Sequence, residues 1–133
     1  MKVLLLIVCI CIGVSQQINF DKVIDDFEDV IDKEAKECYD EFKLNRTQLD
    51  SMVKMENLPN DRNLKCYIAC ILIHVNIVDE SFNVLTENAK KYYELDEPSA
   101  DLIYNKCRVL KGEDNCEKAF TASNCVRENL KNL

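Results

Sequence analysis

The fold is decided by one stretch, Lys65-Cys66-Tyr67-Ile68-Ala69-Cys70-Ile71-Leu72-Ile73-His74-Val75. Two cysteines four positions apart lie on one face of an α-helix. The stretch is apolar nearly all round, and such a helix belongs in the middle of a domain. If each sulfur bonds to a different neighbour, this central helix is the element to which the others are tied.

The same stretch also fits a metal site, because Cys66, Cys70 and His74 recur every four positions along one face. Three such ligands can hold zinc. The N-terminal segment indicates secretion, however, and thiols in an oxidising compartment form disulfides. We therefore predict disulfides here and neither a metal nor a cofactor.

The N-terminal segment is typical of a cleaved signal peptide. One lysine, Lys2, precedes an apolar run that ends at Ser15 and is too short to span a bilayer. We predict a signal peptide over residues 1–15, which removes Cys9 and Cys11, and a secreted, extracellular protein. Residues 16–133 then form one domain with six cysteines.

Composition limits the partners and the fold class. Aspartate and glutamate number 24 against 17 lysines and arginines, for a net charge of -7, so nucleic acid is not an expected partner. No second apolar run approaches 20 residues, so we predict no membrane span. Two glycines and two prolines are too few for the turns of a β-sandwich, and we predict an all-α domain.

Helical periodicity places the elements before the central helix. Apolar residues recur on one face from Phe20 to Phe42, and this predicts a single helix with Cys38 directed inward. Thr47 is a candidate N-cap for a short second helix. The triplet Asn45-Arg46-Thr47 is also a glycosylation sequon, so Asn45 is a candidate glycan site whose occupancy stays open.

Start signals place the remaining helices. Asp61 can cap the central helix, and Asp79-Glu80-Ser81 predicts the start of another. Glu97-Pro98-Ser99 begins the next, and the last runs from about Asp114 to Leu130. Cysteines 116 and 125 are nine positions apart in that last helix, half a turn out of register, so their sulfurs need partners on different neighbours.

The spacing of the six cysteines resembles that of a known family. The pattern is Cys38-x27-Cys66-x3-Cys70-x36-Cys107-x8-Cys116-x8-Cys125. It is similar to the six-cysteine insect odorant-binding proteins of the pheromone-binding and general odorant-binding group, whose hallmark is the three-residue and eight-residue gaps. The resemblance covers the chain from the first helix almost to the end.

The resemblance implies a disulfide framework and a fold. It implies the pairs Cys38–Cys70, Cys66–Cys116 and Cys107–Cys125, which is one of 15 pairings that six cysteines allow. It also implies a compact six-helix domain around an apolar cavity. Only eight residues follow Cys125, so no tail helix that enters the cavity is expected, and Leu130 or Leu133 are candidates to close one wall.

The resemblance further implies a carrier that binds a small hydrophobic ligand, an odorant or pheromone, and transports it through extracellular fluid. Delivery to a chemosensory receptor is part of that implication, and a homodimer stays open. Candidate ligand-binding residues lie on the inward faces, where each also fits a plain core position: Ile68, Leu72, Phe82, Leu85, Ala89, Tyr92, Ile103, Tyr104, Ser123, Val126 and Leu130. Tyr92, Tyr104 and Ser123 are the candidates for hydrogen bonds to the ligand.

The chain lacks the residue patterns of the common hydrolases. It has one histidine and no Gly-x-Ser-x-Gly, His-Glu-x-x-His or phosphate-loop motif, so we predict no enzyme. His74 lies on the central helix, where packing or hydrogen bonding is the simpler role. The alternative function is that of a secreted signalling or venom-type helical protein that acts through surface contact with a partner protein.

Overall fold

The computed structural model describes residues 18–133, so the predicted signal peptide, Cys9 and Cys11 lie outside the described residues. The described chain is all-helical, with six α-helices and one 3-10 helix. The elements are α1 (Phe20–Glu34), α2 (Lys36–Phe42), α3 (Arg46–Val53), α4 (Arg62–His74), the 3-10 helix (Glu87–Tyr92), α5 (Glu97–Cys107) and α6 (Asn115–Lys131). No helix within residues 18–133 is long and apolar enough to cross a membrane.

Short polar side chains begin most of the helices. The side chains of Asn19, Asn45, Asp61, Asp96 and Asp114 each accept a hydrogen bond from a backbone N–H in the first turn of the helix that follows. Such caps satisfy donors that the helix itself leaves free. The predicted cap at Asp61 is confirmed, whereas Thr47 lies within α3 and Asn45 is the cap, in a reciprocal pair with Gln48.

The predicted helix over residues 20–42 is two helices, because the backbone leaves helical geometry at the buried Ala35. The break allows the two halves to pack on different partners. Helix α1 packs on α3, while α2 packs on α4, to which the Cys38–Cys70 disulfide ties it. A single straight helix would not serve both contacts.

The predicted helix that begins at Asp79 is wrong. The Asp79 carboxylate accepts hydrogen bonds from the backbone N–H groups of Asn83 and Val84, and this turn competes with a helix. Leu85 N–H then donates to the carbonyl of Arg108, and Leu110 N–H donates to that of Asn83. The segment is therefore extended, and only residues 87–92 are helical, as a 3-10 turn.

Helix α4 is the central element, as the apolar stretch predicts. Its residues Leu64, Tyr67, Ile68 and Ile71 are buried, and its most extensive packing is with α6. Three disulfides link the helices in series: Cys38–Cys70 joins α2 to α4, Cys66–Cys116 joins α4 to α6, and Cys107–Cys125 joins α5 to α6. These three disulfides are the pairs that the resemblance implies, and that prediction is confirmed.

Candidate functional site

An apolar cavity of about 160 Å³ lies between α1, α4, α6 and the 3-10 helix. Each of these helices turns apolar side chains toward it because its sequence has an apolar stripe at helical spacing. The wall consists of Phe20, Val23, Ile24, Phe27, Val53, Leu58, Ile68, Leu72, Ile77, Leu85, Ala89, Tyr92, Tyr93, Ala122, Ser123, Val126, Arg127 and Leu130. Cavities of about this volume in apolar protein interiors bind small apolar molecules.

The wall contains eight of the eleven residues proposed for ligand binding from the sequence: Ile68, Leu72, Leu85, Ala89, Tyr92, Ser123, Val126 and Leu130. Three predicted residues do not line the cavity, and Phe82, Ile103 and Tyr104 are buried in the core instead. The Tyr104 hydroxyl donates a hydrogen bond to the carbonyl of Leu85 at 2.8 Å, so it holds the extended segment in place. Ligand contact by the eight wall residues stays a prediction.

The sequence reasoning missed the contribution of α1. Phe20, Val23, Ile24 and Phe27 form one side of the cavity, and the ring of Phe27 packs edge-on against that of Tyr92 at 5.2 Å between centroids. The signal was present, because these four residues belong to the apolar face recognised between positions 20 and 42. That face predicts a helix, but periodicity alone does not distinguish a cavity wall from ordinary core packing.

Arg127 is the one formally charged residue in the wall, and its guanidinium donates hydrogen bonds to protein oxygens. Nε donates to the carbonyl of Val53 at 2.9 Å, Nη1 to the Glu128 carboxylate at 2.8 Å, and Nη2 to the carbonyl of Met55. The side chain is 5% exposed. Arg127 therefore fastens α6 to the end of α3 and presents little free charge to the cavity.

The two wall tyrosines differ in their hydroxyl groups. The Tyr93 hydroxyl is fully buried and has no partner within residues 18–133, and burial raises its pKa. Water-sized molecules do not reach it, so a ligand in the cavity would not meet it as the wall stands. Tyr92 is half-buried, and Lys91 Nζ lies 5.0 Å from the centroid of its ring.

Behind the α1 side of the cavity lies a buried carboxyl group. Glu28 is 2% exposed, its Oε2 has no partner in the described chain, and its Oε1 is 4.0 Å from Arg46 Nε. Burial raises the pKa of Glu28 to about 8, and the neighbouring Asp50 carboxylate adds to the shift. Glu28 is thus protonated near neutral pH and can donate to Asp50, whose own pKa is lowered mainly by Lys54.

The zinc alternative does not fit the disulfides. Cys66 and Cys70 are both oxidised, to Cys116 and Cys38, so neither offers a thiolate. His74 Nδ1 lies 2.8 Å from the carbonyl oxygen of Cys70, and its Nε2 lies 2.8 Å from Oε1 of Glu37. His74 therefore connects α4 to α2 beside the Cys38–Cys70 bridge.

A separate groove of about 610 Å³ lies where the two ends of the described chain meet. It is lined by Ile18, Asn19, Lys22, Val23, Glu94, Leu95, Asp96, Ser99, Leu102, Asn132 and Leu133. The C-terminal residues are thus divided between two sites, because Leu130 lines the cavity and Leu133 lines the groove. Of the two candidates to close the cavity wall, only Leu130 lies on it.

The fold and the site together define a disulfide-linked helical domain with an apolar cavity. The sequence model of the PBP/GOBP family matches residues 17–129, and the chain belongs to this family.

Two curated Drosophila melanogaster proteins are similar to the chain. General odorant-binding protein 19d is 26% identical over 140 residues, which cover 98% of this chain and 90% of that protein. General odorant-binding protein 57d is 34% identical over 74 residues, 52% of each.

A solved structure agrees with the fold. The crystal structure of the medfly odorant-binding protein CcapOBP22/CcapOBP69a aligns with a TM-score of 0.59 at 24% identity, over 74% of this chain and 85% of that one. At this level of identity the likeness supports the fold alone.

Proposed function

We propose that the protein is a secreted carrier that binds a small hydrophobic molecule in the apolar cavity and releases it unchanged. The observation that carries this proposal is an apolar cavity of about 160 Å³ inside a cross-linked helical fold of the PBP/GOBP family. The names of the Drosophila relatives, which are odorant-binding proteins, support the choice of ligand. Transport to a chemosensory receptor is the olfactory form of the same proposal.

The driving force is the transfer of apolar ligand surface from water, at about 25 cal/mol per Å². Part of this is lost to the entropy of ordering the ligand. A preformed cavity reduces that cost because the wall does not have to be rearranged around the ligand. Reversible binding of this kind suits a carrier, which must also release its cargo.

We propose no chemical conversion of the ligand. Ser123 places a hydroxyl group in the wall. The single histidine of the chain, His74, could act as its base, but it contacts Glu37 and the Cys70 carbonyl on another side of α4. A serine without a nearby base is a weak nucleophile. The rival function, surface contact with a partner protein, needs no ligand in the cavity.

A dye-displacement titration separates the two functions. The carrier binds an environment-sensitive naphthylamine dye saturably, at about one dye per chain, and small volatile alcohols displace it. The variant Ala122→Phe fills the cavity from α6 and should abolish dye binding, while Leu102→Phe, at a side chain that is 74% exposed, should leave it unchanged. The carrier function is wrong if the dye binds the wild type and Ala122→Phe equally, or binds neither.

Secretion and glycosylation are the remaining parts of the proposal. A signal peptide over residues 1–15 predicts that secreted protein begins near Gln16, which N-terminal sequencing measures. Asn45 is exposed in the loop before α3, and its Oδ1 accepts the capping hydrogen bond from Gln48 N–H while Nδ2, the atom that carries a glycan, is not used for the cap. A glycan there is therefore compatible with the cap, and mass spectrometry of secreted protein measures its presence.

A further inference from the structure

We propose that the cavity selects compact neutral ligands with one hydrogen-bonding group, which Ser123 contacts, and rejects carboxylates built on the same skeleton. The inference rests on the proposed carrier function and names the ligand class of that site. It follows from the number of polar groups in the wall and from the partners that they already have. Fourteen of the eighteen wall residues are apolar, and the polar four are Tyr92, Tyr93, Ser123 and Arg127.

The one cation in the wall is already neutralised. All three guanidinium nitrogens of Arg127 donate to protein oxygens, and one of these belongs to the Glu128 carboxylate at 2.8 Å. A ligand carboxylate in the cavity would therefore lose its water without gaining a free charged partner. Burying an unpaired carboxylate in this way is strongly unfavourable.

The charge of the whole protein acts in the same direction. A net charge of -7 repels anions at a distance and lowers their concentration near the surface. An uncharged ligand meets neither obstacle.

Ser123 is the polar group that the wall offers to a neutral ligand. The Tyr93 hydroxyl is fully buried, and the ring of Tyr92 packs against Phe27 and Lys91. Ser123 is half-buried on α6 between the wall residues Ala122 and Val126. A hydroxyl or carbonyl on a ligand in the cavity can therefore exchange a hydrogen bond with the Ser123 hydroxyl.

The test uses four ligands of one shape: 4-isopropyltoluene, 4-isopropylbenzyl alcohol, 4-isopropylbenzamide and 4-isopropylbenzoate. Their affinities are measured by calorimetry at pH 7 on the full secreted protein. We expect the alcohol to bind best and the benzoate at least about tenfold more weakly than the amide, because one uncompensated charge costs more than 1.4 kcal/mol. Equal binding of benzoate and amide would overturn the charge rule.

Ser123→Ala tests the specificity-determining residue. It should weaken the alcohol about twofold to tenfold, the value of one neutral hydrogen bond, and leave the hydrocarbon within twofold. Ser51→Ala, at an exposed position of α3, is the matched control and should change neither. Equal loss for alcohol and hydrocarbon would show that Ser123 acts through packing and would overturn its assigned role.

The outcomes also distinguish the inference from the carrier function on which it rests. If none of the four ligands binds and the naphthylamine dye does not bind, both fail. If the ligands bind without regard to charge, the carrier function stands and this inference is wrong.

Discussion

Two parts of the molecule that face each other across the cavity are held together differently. The cross-linked frame, helices α2, α4, α5 and α6, is joined in series by three disulfides. The α1–α3 pair contains no cysteine. Ion pairs connect its two helices to each other, with Lys54 Nζ 2.7 Å from Asp25 and Arg46 Nη1 2.6 Å from Asp32.

The difference indicates which side of the cavity can respond to ligand or pH. The frame cannot separate without breaking a covalent bond, whereas the α1–α3 pair depends on apolar contacts, exposed ion pairs of small individual value and the buried Glu28. Helix α1 supplies Phe20, Val23, Ile24 and Phe27 to the wall. We therefore expect the cavity to open on the α1 side, where no covalent bond holds the wall in place.

Removal of the central disulfide should have the largest effect. The double variant Cys66→Ala/Cys116→Ala opens a link with a sequence separation of 50 residues and should lower the free energy of unfolding by about 2–5 kcal/mol. Urea denaturation followed by circular dichroism measures the loss. An unchanged denaturation midpoint would show that packing of α4 on α6 stabilises the fold equally well without the bond. It would contradict the proposed contrast between the two parts.

Arg127 joins the two parts, so its removal should lower the free energy of unfolding by an intermediate amount. Arg127→Met keeps the apolar stem but leaves the carbonyls of Val53 and Met55 without their donor, and should cost about 2–3 kcal/mol. Glu128→Gln is the control, because it weakens only a partly exposed ion pair and should cost less than about 1 kcal/mol. Equal costs for the two variants would contradict the role of Arg127 as a buried tie.

Glu28, in the α1–α3 pair, should make the free energy of unfolding depend on pH. Its folded-state pKa of about 8 is raised above the ordinary 4.5, so its contribution to stability is fully present below about pH 4.5 and is lost as pH rises through 8. Glu28→Gln resembles the protonated acid, so the variant should be equal to the wild type near pH 4.5 and more stable at pH 8.5, by up to about 1.4 kcal/mol for each pH unit between the two pKa values.

The control for this pH effect is Asp29→Asn, at an exposed carboxylate of the same helix whose side chain is 64% exposed. Thermal unfolding of both variants and the wild type at the two pH values measures the difference. A parallel pH response of wild type and Glu28→Gln would contradict the buried-acid interpretation.

The elements that the sequence predicts well are those with a strong local signal. The central helix and its cap at Asp61 follow from an apolar run and one aspartate, and both are confirmed. The start at Glu97-Pro98 is likewise confirmed, with Asp96 as the cap. Local chemistry is enough in these places because no distant contact competes with it.

The predictions that failed depend on distant contacts. The segment after Asp79 has the apolar spacing of a helix, yet it pairs with residues 108–110, and no local pattern reveals that pairing. Phe82 has a backbone φ of 57°, which is incompatible with the right-handed helix that the sequence predicts there. The same holds at the site, because periodicity says that Ile103 and Tyr104 face inward but not whether a void or other side chains lie there.

The interlaced order of the disulfides has a consequence for survival outside the cell. For any single backbone cut between Cys38 and Cys125, at least one of the three bonds joins a cysteine before the cut to one after it. A protease that nicks one exposed loop therefore yields two pieces that stay attached. After one such cut the protein remains a single covalently linked molecule, and only a second cut or a reductant releases a fragment.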